Sequence, residues 1–158
     1  MNETPSQTIG PFFRIGLSSL ALPELGLDAP GALTLVGRVY DGAEAVPDAM
    51  VEFSGAGRFV RVLSESDGSF VATVHKPVSE TTSHAPSLDV SVFARGLLQR
   101  LVTRLYFPDE EEANARDAVL ASVPATRRAT LVAHAESDGQ LRFDVYLQGQ
   151  RETVFFEY

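Results

Sequence analysis

The sequence predicts an all-β chain: an antiparallel β-sandwich with an extended N-terminal arm and one short helix after its central hairpin. Three observations carry that prediction. Short runs rich in Val, Phe, Tyr and Thr alternate polar and apolar positions, the period of two that half-buried strands require. Asp-Gly pairs at 41–42, 67–68 and 138–139 punctuate those runs as tight turns. Proline and glycine crowd the first 32 residues instead, where no strand or helix period is readable. Two regions follow, an arm over 1–32 and a sandwich domain over 33–158.

The arm carries Pro5, Pro11, Pro23 and Pro30, yet Ile9, Phe12, Phe13, Ile15, Leu17, Leu20 and Leu22 make it too apolar to dangle in water. It is expected to bury against its own domain or against a partner chain. From Ala32 the runs LTLVGRVYD, AMVEFSG, RFVRVLSES and SFVATVHK read as strands. A polar connector, 78–87, leads to the central hairpin, DVSVFAR and QRLVTRLYF, turned at Gly96 and a leucine pair. Leu88, Val90, Val92 and Ala94 share one face, and Ser87, Asp89, Ser91, Phe93 and Arg95 share the other. Pro108 stops the second run. The acids that follow suit a helix N-terminus, so 109–121 reads as the one helix of consequence. RRATLVAHAES, QLRFDVYLQG and the closing ETVFFEY complete eight or nine strands.

At 158 residues the chain suits one domain, which would bury roughly 70% of its unfolded surface. A net charge of −8 opposes phosphate-backbone binding, so nucleic acid is not an expected partner. No apolar run spans a bilayer, and no basic amphipathic stripe suits a membrane surface. The N-terminus MNETPSQ is unlike a signal peptide. The absence of cysteine removes disulfides, thiol nucleophiles and thiolate metal sites. A cytoplasmic location is the default expectation.

The residues alone offer little chemistry. His75, His84 and His134 are scattered, with no pair two to four residues apart, so a metal site would have to gather distant ligands. No G-x-S-x-G and no phosphate-binding G-x-x-x-x-G-K occurs. Tyr40, Tyr106 and Tyr146 lie in strands, where amphipathic packing accounts for them.

Three stretches add a resemblance. T-P-S-Q-T-I-G-P-F-F (4–13) is similar to the arm of the heteromeric intradiol dioxygenases. S-V-F-A-R-G (91–96) with T-R-L-Y-F (103–107) and D-E-E-E-A-N-A (109–115) resembles the α chains of that family. R-F-D-V-Y-L-Q-G (142–149) with E-T-V-F-F-E-Y resembles an α-chain ending. These blocks cover about half the chain and keep the family's order.

The resemblance implies a β-sandwich subunit of an enzyme that opens protocatechuate with O₂. In that family a beta subunit holds Fe(III) through two tyrosines and two histidines, and the α chain supplies part of the pocket without iron ligands. A catalytic chain carries an H-x-H pair entering the strand at 87–95; here Ser87 and Asp89 stand in those places. Thr8, Gly10 and Pro11 match the arm residues that reach the pocket, and Arg95 matches an α-chain arginine near it. Arg95 is therefore the candidate catalytic residue, and no metal ligand is expected in this chain. Partners implied are a beta subunit and further αβ units. The chain is short for an α chain, with the loss expected around 53–70, where the family has a longer tryptophan-bearing region. Phe12 also stands where the arm often has a tyrosine. A second reading stays open: a standalone β-sandwich binding or scaffold protein, with its arm folded back on itself.

Overall fold

The computed structural model describes residues 8, 10, 12–21, 31–79, 83–136 and 139–157. Pro11 and Asp138, both singled out above, lie outside the described residues.

Two sheets face each other. In the first, β1 (Ala32–Asp41) is the central strand. A short β2 (Glu44–Ala45) turns back on it at Asp41–Gly42. In the second, β3 (Met50–Gly55) and β4 (Arg58–Leu63) form a hairpin. The chain returns to β1 through β5 (Ser69–His75), antiparallel from Ala32↔His75 to Arg38↔Ser69. It then crosses again to β6 (Ser87–Phe93) and β7 (Leu101–Tyr106), completing an antiparallel order β4–β3–β6–β7.

After the helices, β8 (His134–Ala135), β9 (Leu141–Arg142) and β10 (Val145–Tyr146) close the first sheet. Here the antiparallel expectation is refined. β9 and β10 run parallel to β1 in one continuous register, Leu35↔Leu141 to Tyr40↔Tyr146. The ladder is interrupted at Phe143 and Asp144, because the Asp144 carboxylate takes the Arg38 amide hydrogen at 3.0 Å. Gly37 lies at this interruption. A methyl group there would collide with the Phe143 carbonyl and the Phe70 ring, so only glycine fits.

The core lies between the sheets. Leu35, Val39, Phe70, Ala72 and Val74 meet Val51, Phe53, Val90, Val92 and Leu105, all nearly or fully buried. Each fully buried Val, Leu or Phe contributes roughly 1.5–3 kcal/mol. Along β6 the alternation read from sequence holds, with Leu88, Val90 and Val92 inward and Ser87, Asp89 and Ser91 outward.

Four local expectations are corrected. The arm is not free of regular structure: α1 (Phe12–Leu17) runs into a 3₁₀ turn at Ser18–Leu20. A proline just before a helix is a start signal, which the density of breakers had obscured. The helix after the hairpin is two, α2 (Glu111–Arg116) and α3 (Ala118–Ser122). Asp117 breaks it by capping α3 through the Leu120 amide at 2.8 Å. The run 127–137 holds only the two-residue β8, preceded by a 3₁₀ turn at Arg128–Leu131. There Arg128 reaches back to the Val123 and Ala121 carbonyls, and Thr130 Oγ1 donates to the Arg127 carbonyl. These local bonds win over a ladder. The closing run is likewise no strand; Phe156 meets Val102 as a single bridge.

Between β3 and β4 only Ala56 and Gly57 intervene, both with positive φ (49° and 73°), as a two-residue hairpin turn requires. This two-residue connection lies in the 53–70 region, where the sequence reading expected the chain to be short.

Candidate functional site

The outer face of the second sheet holds the residues that the sequence singled out. Paired residues of an antiparallel ladder point to one face, so Glu52 and Ser91, Ser54 and Asp89, and Asp89 and Arg104 are outward neighbours. Ion pairs knit this face. Arg61 holds Glu52 through Nε at 2.8 Å and Nη2 at 2.6 Å. Asp89 accepts from Arg104 Nε at 3.1 Å.

Ser87 and Asp89, in the places of the family's histidine pair, do not fit an Fe(III) site. The Asp89 charge is already matched by Arg104, and Ser87 lies opposite Tyr106, whose hydroxyl is committed to Asp117 at 2.9 Å. A lone carboxylate and a hydroxyl are a poor donor set for ferric iron. Among the described residues, no three His, Asp or Glu side chains come together as a metal cage. His75 sits 3.5 Å from Arg58, and His84 lies 3.8 Å from Asp117.

Arg95 shares the outward face but lies six residues beyond Asp89, about 20 Å along an extended chain. It therefore serves no site at Ser87 and Asp89 of its own chain. Its side chain is 59% exposed and contacts Asp48 Oδ2 through Nε at 3.3 Å. This ion pair lies within the chain. Gly96 follows, with φ +92°, and its amide donates to Thr8 Oγ1 at 3.3 Å. The same hydroxyl accepts from the Gly10 amide at 3.4 Å. The structure thus brings Thr8 and Gly10 of the arm against the turn that carries Arg95.

Further along, Arg61 Nη1 donates to the Leu20 carbonyl at 3.5 Å, so the described arm touches this sheet at two separated points. Two of its described apolar side chains are exposed, Ile15 at 71% and Leu20 at 52%. Beside Gly96, a cleft of about 760 Å³ is lined by Leu97, Leu98, Phe155 and Phe156 together with the polar Arg100 and Glu157. A second cavity of about 440 Å³ opens on the other side, lined by Arg127, His134, Tyr146 and Arg151 among others. Its cations are engaged in its walls. Arg151 stacks over Tyr146 at 4.5 Å, and Arg127 donates to the Glu152 carbonyl.

Sequence reasoning missed Asp48, Arg104 and Asp117. Asp117 is fully buried and accepts from the Ala85 amide, the Leu120 amide and the Tyr106 hydroxyl. Burial pushes its carboxyl up, but these three hydrogen bonds outweigh it and hold the group below its ordinary value. Burial and the bond to Asp117 push the Tyr106 phenol well above its usual range. Only the S/T/D/N-before-helix signal pointed to Asp117 in the sequence.

No family model matches the chain. A protocatechuate 3,4-dioxygenase alpha chain of Burkholderia cepacia is 42% identical over 195 aligned positions, covering 99% of this chain and 98% of that relative. One from Pseudomonas putida is 37% identical over 198 positions, covering 99% and 96%. Both alignments exceed the 158 residues present, so this chain is gapped against each. Among solved structures, the dioxygenase domain of a dioxygenase carbohydrate-binding protein fusion from Streptomyces sp. SirexAA-E shares the fold. Its TM-score is 0.64 at 24% identity, over 97% of this chain and all of that one.

Proposed function

Since this chain belongs to the family of protocatechuate 3,4-dioxygenase alpha chains, we propose that it is the subunit that completes an active site held on an iron-bearing beta partner. The reaction is intradiol cleavage of protocatechuate by O₂ to 3-carboxy-cis,cis-muconate. Iron and its chemistry belong to the partner, in keeping with the Asp89–Arg104 pair that fills the corresponding place here.

One observation carries the division of labour: Thr8 of the arm is docked on Gly96, next to an exposed Arg95. In the assembled enzyme, Thr8, Gly10 and Pro11 form a wall of the partner's pocket. Gly10, at φ +66° with open space where a side chain would begin, lets backbone approach a flat aromatic ring closely. Arg95 presents a permanent cation to the anionic substrate, whose carboxylate matches a guanidinium fork. Exposed Ile15, Leu20 and Leu98 and the leucine–phenylalanine cleft beside Gly96 form surface for the partner to cover. Assembly into several αβ units, in a cytoplasmic setting suited to a cysteine-free chain, completes the reading.

Co-expression with a candidate beta chain tests it. The expected result is a co-purifying, iron-containing heteromer that turns over protocatechuate. Recovery of a free monomer, together with no dioxygenase activity in the mixture, supports the standalone binding protein instead. Within the heteromer, Arg95→Ala should lower kcat/KM for protocatechuate by about 10- to 100-fold, the loss of one charged hydrogen bond, while iron content holds. Unchanged steady-state constants would leave Arg95 structural.

A further inference from the structure

We infer that Asp48 is the positioning residue for Arg95, fixing the guanidinium before substrate arrives; the inference rests on Arg95 serving the partner's pocket as proposed above. The strand register places the pair. β3 and β6 are matched from Ser54↔Asp89 to Met50↔Phe93, and the same pairing carried two residues past the ladder sets Asp48 opposite Arg95 on the outer face. Both residues lie outside the strands themselves, so the contact depends on what holds their backbones.

The Asp48 side is well held. The fully buried Ser64 donates its hydroxyl to the Val46 carbonyl at 2.8 Å and accepts from the Ala49 amide at 2.9 Å. The Ser64 amide bonds the Ala49 carbonyl at 2.8 Å, and the Val46 amide bonds the Val39 carbonyl at 2.9 Å. These bonds clamp the turn on both sides of Asp48. Its side chain is only 14% exposed, against 59% for Arg95, so the acid is the anchor and the arginine the group being held.

A free arginine samples many rotamers, and part of that freedom is lost when it binds. Contact at Nε from a fixed carboxylate removes much of that loss in advance. Arginine offers five N–H donors in a rigid fork, and one acid approaching at Nε does not exhaust them. Asp48 also offsets the cation's charge, so the corner gains geometric selectivity for a carboxylate rather than general attraction for anions. On the other side, the Gly96–Thr8 bond ties the arm to the same turn.

The test uses the co-expressed heteromer and a double-mutant cycle on kcat/KM for protocatechuate. Asp48→Asn should lower kcat/KM about fivefold to tenfold with iron content held, and Asp48→Glu should recover part of the loss. In an Arg95→Ala background, Asp48→Asn should add nothing, because the group it positions is gone. Wild-type kinetics for Asp48→Asn, or an equal further loss on top of Arg95→Ala, would overturn the inference while leaving the role of Arg95 intact. Failure of both Asp48→Asn and Asp48→Glu to assemble would make Asp48 a residue of the fold and overturn it too. A silent Arg95→Ala would remove the proposed role of Arg95 itself.

Discussion

Asp117 and Asp48 each hold a neighbouring group in place, one inside the molecule and one at its rim. Asp117 is fully buried and accepts from two amides and a phenol, tying the 83–86 connector, β7 and α3 into one unit. Asp48 makes one ion-pair contact with a largely exposed arginine. The first arrangement commits both carboxylate oxygens to the fold, whereas the second leaves donors for a visitor. A buried polar hub is worth most to stability because removing it strands its partners. A rim contact is worth little to stability and can be reserved for chemistry.

The widest separation should come from deleting the hub. Asp117→Ala leaves the Ala85 amide and the Tyr106 hydroxyl buried without acceptors and removes a helix cap. The expected cost is roughly 3 kcal/mol, a fall in Tm of about 6–12 °C, read by thermal unfolding. Arg95→Ala, removing an exposed ion pair, should move Tm by less than about 4 °C. If the two shifts matched, the contrast between hub and rim would collapse.

A finer test is pH. The Asp117 carboxyl is depressed in the folded chain relative to the unfolded one, so its stabilisation is fully present above the unfolded value, about pH 4, and is lost as pH falls through the folded value. Asp117→Asn should be less stable than the native chain at pH 7, and the gap in Tm should narrow as pH is lowered towards 3. A gap that widens in acid would reverse the assignment. The smallest effect belongs to Asp89, paired with Arg104 on an open sheet face. Asp89→Ala should change Tm by no more than a few degrees and leave the heteromer's iron content at the native level. Loss of iron would place a ligand where this chain shows an ion pair.

Sequence reading reached as far as local grammar reaches. Alternation through Ser87–Phe93 and the Asp-Gly turns at 41–42 and 67–68 are nearest-neighbour signals, and the strands they mark are present. The Asp48–Arg95 contact was invisible because it depends on β3 lying beside β6, more than thirty residues apart in sequence. Alternation says which face a residue takes but not which strand it will meet. The strand expected over 127–137 failed for the opposite reason. Arg128 and Thr130 bond to backbone within a few residues, and apolar pattern carries no trace of such bonds. Of the site, Thr8, Gly10 and Arg95 were legible through family resemblance alone; period and spacing gave only a polar face.

The two-residue turn at Ala56–Gly57 has a consequence for how the chain folds. Loop closure grows more costly by about 0.6 kcal/mol with each doubling of length, and a two-residue turn keeps that length-dependent part small for β3 and β4. Such a hairpin can form within about 1–10 μs, far ahead of the distant pairings of β1 with β9 and β10. β3 then stands as the template on which β6 docks, and that docking sets the register that brings Asp48 to Arg95. The two-residue strand connection thus makes the first step of assembly local, and the corner that carries Arg95 is built on the hairpin that this step forms.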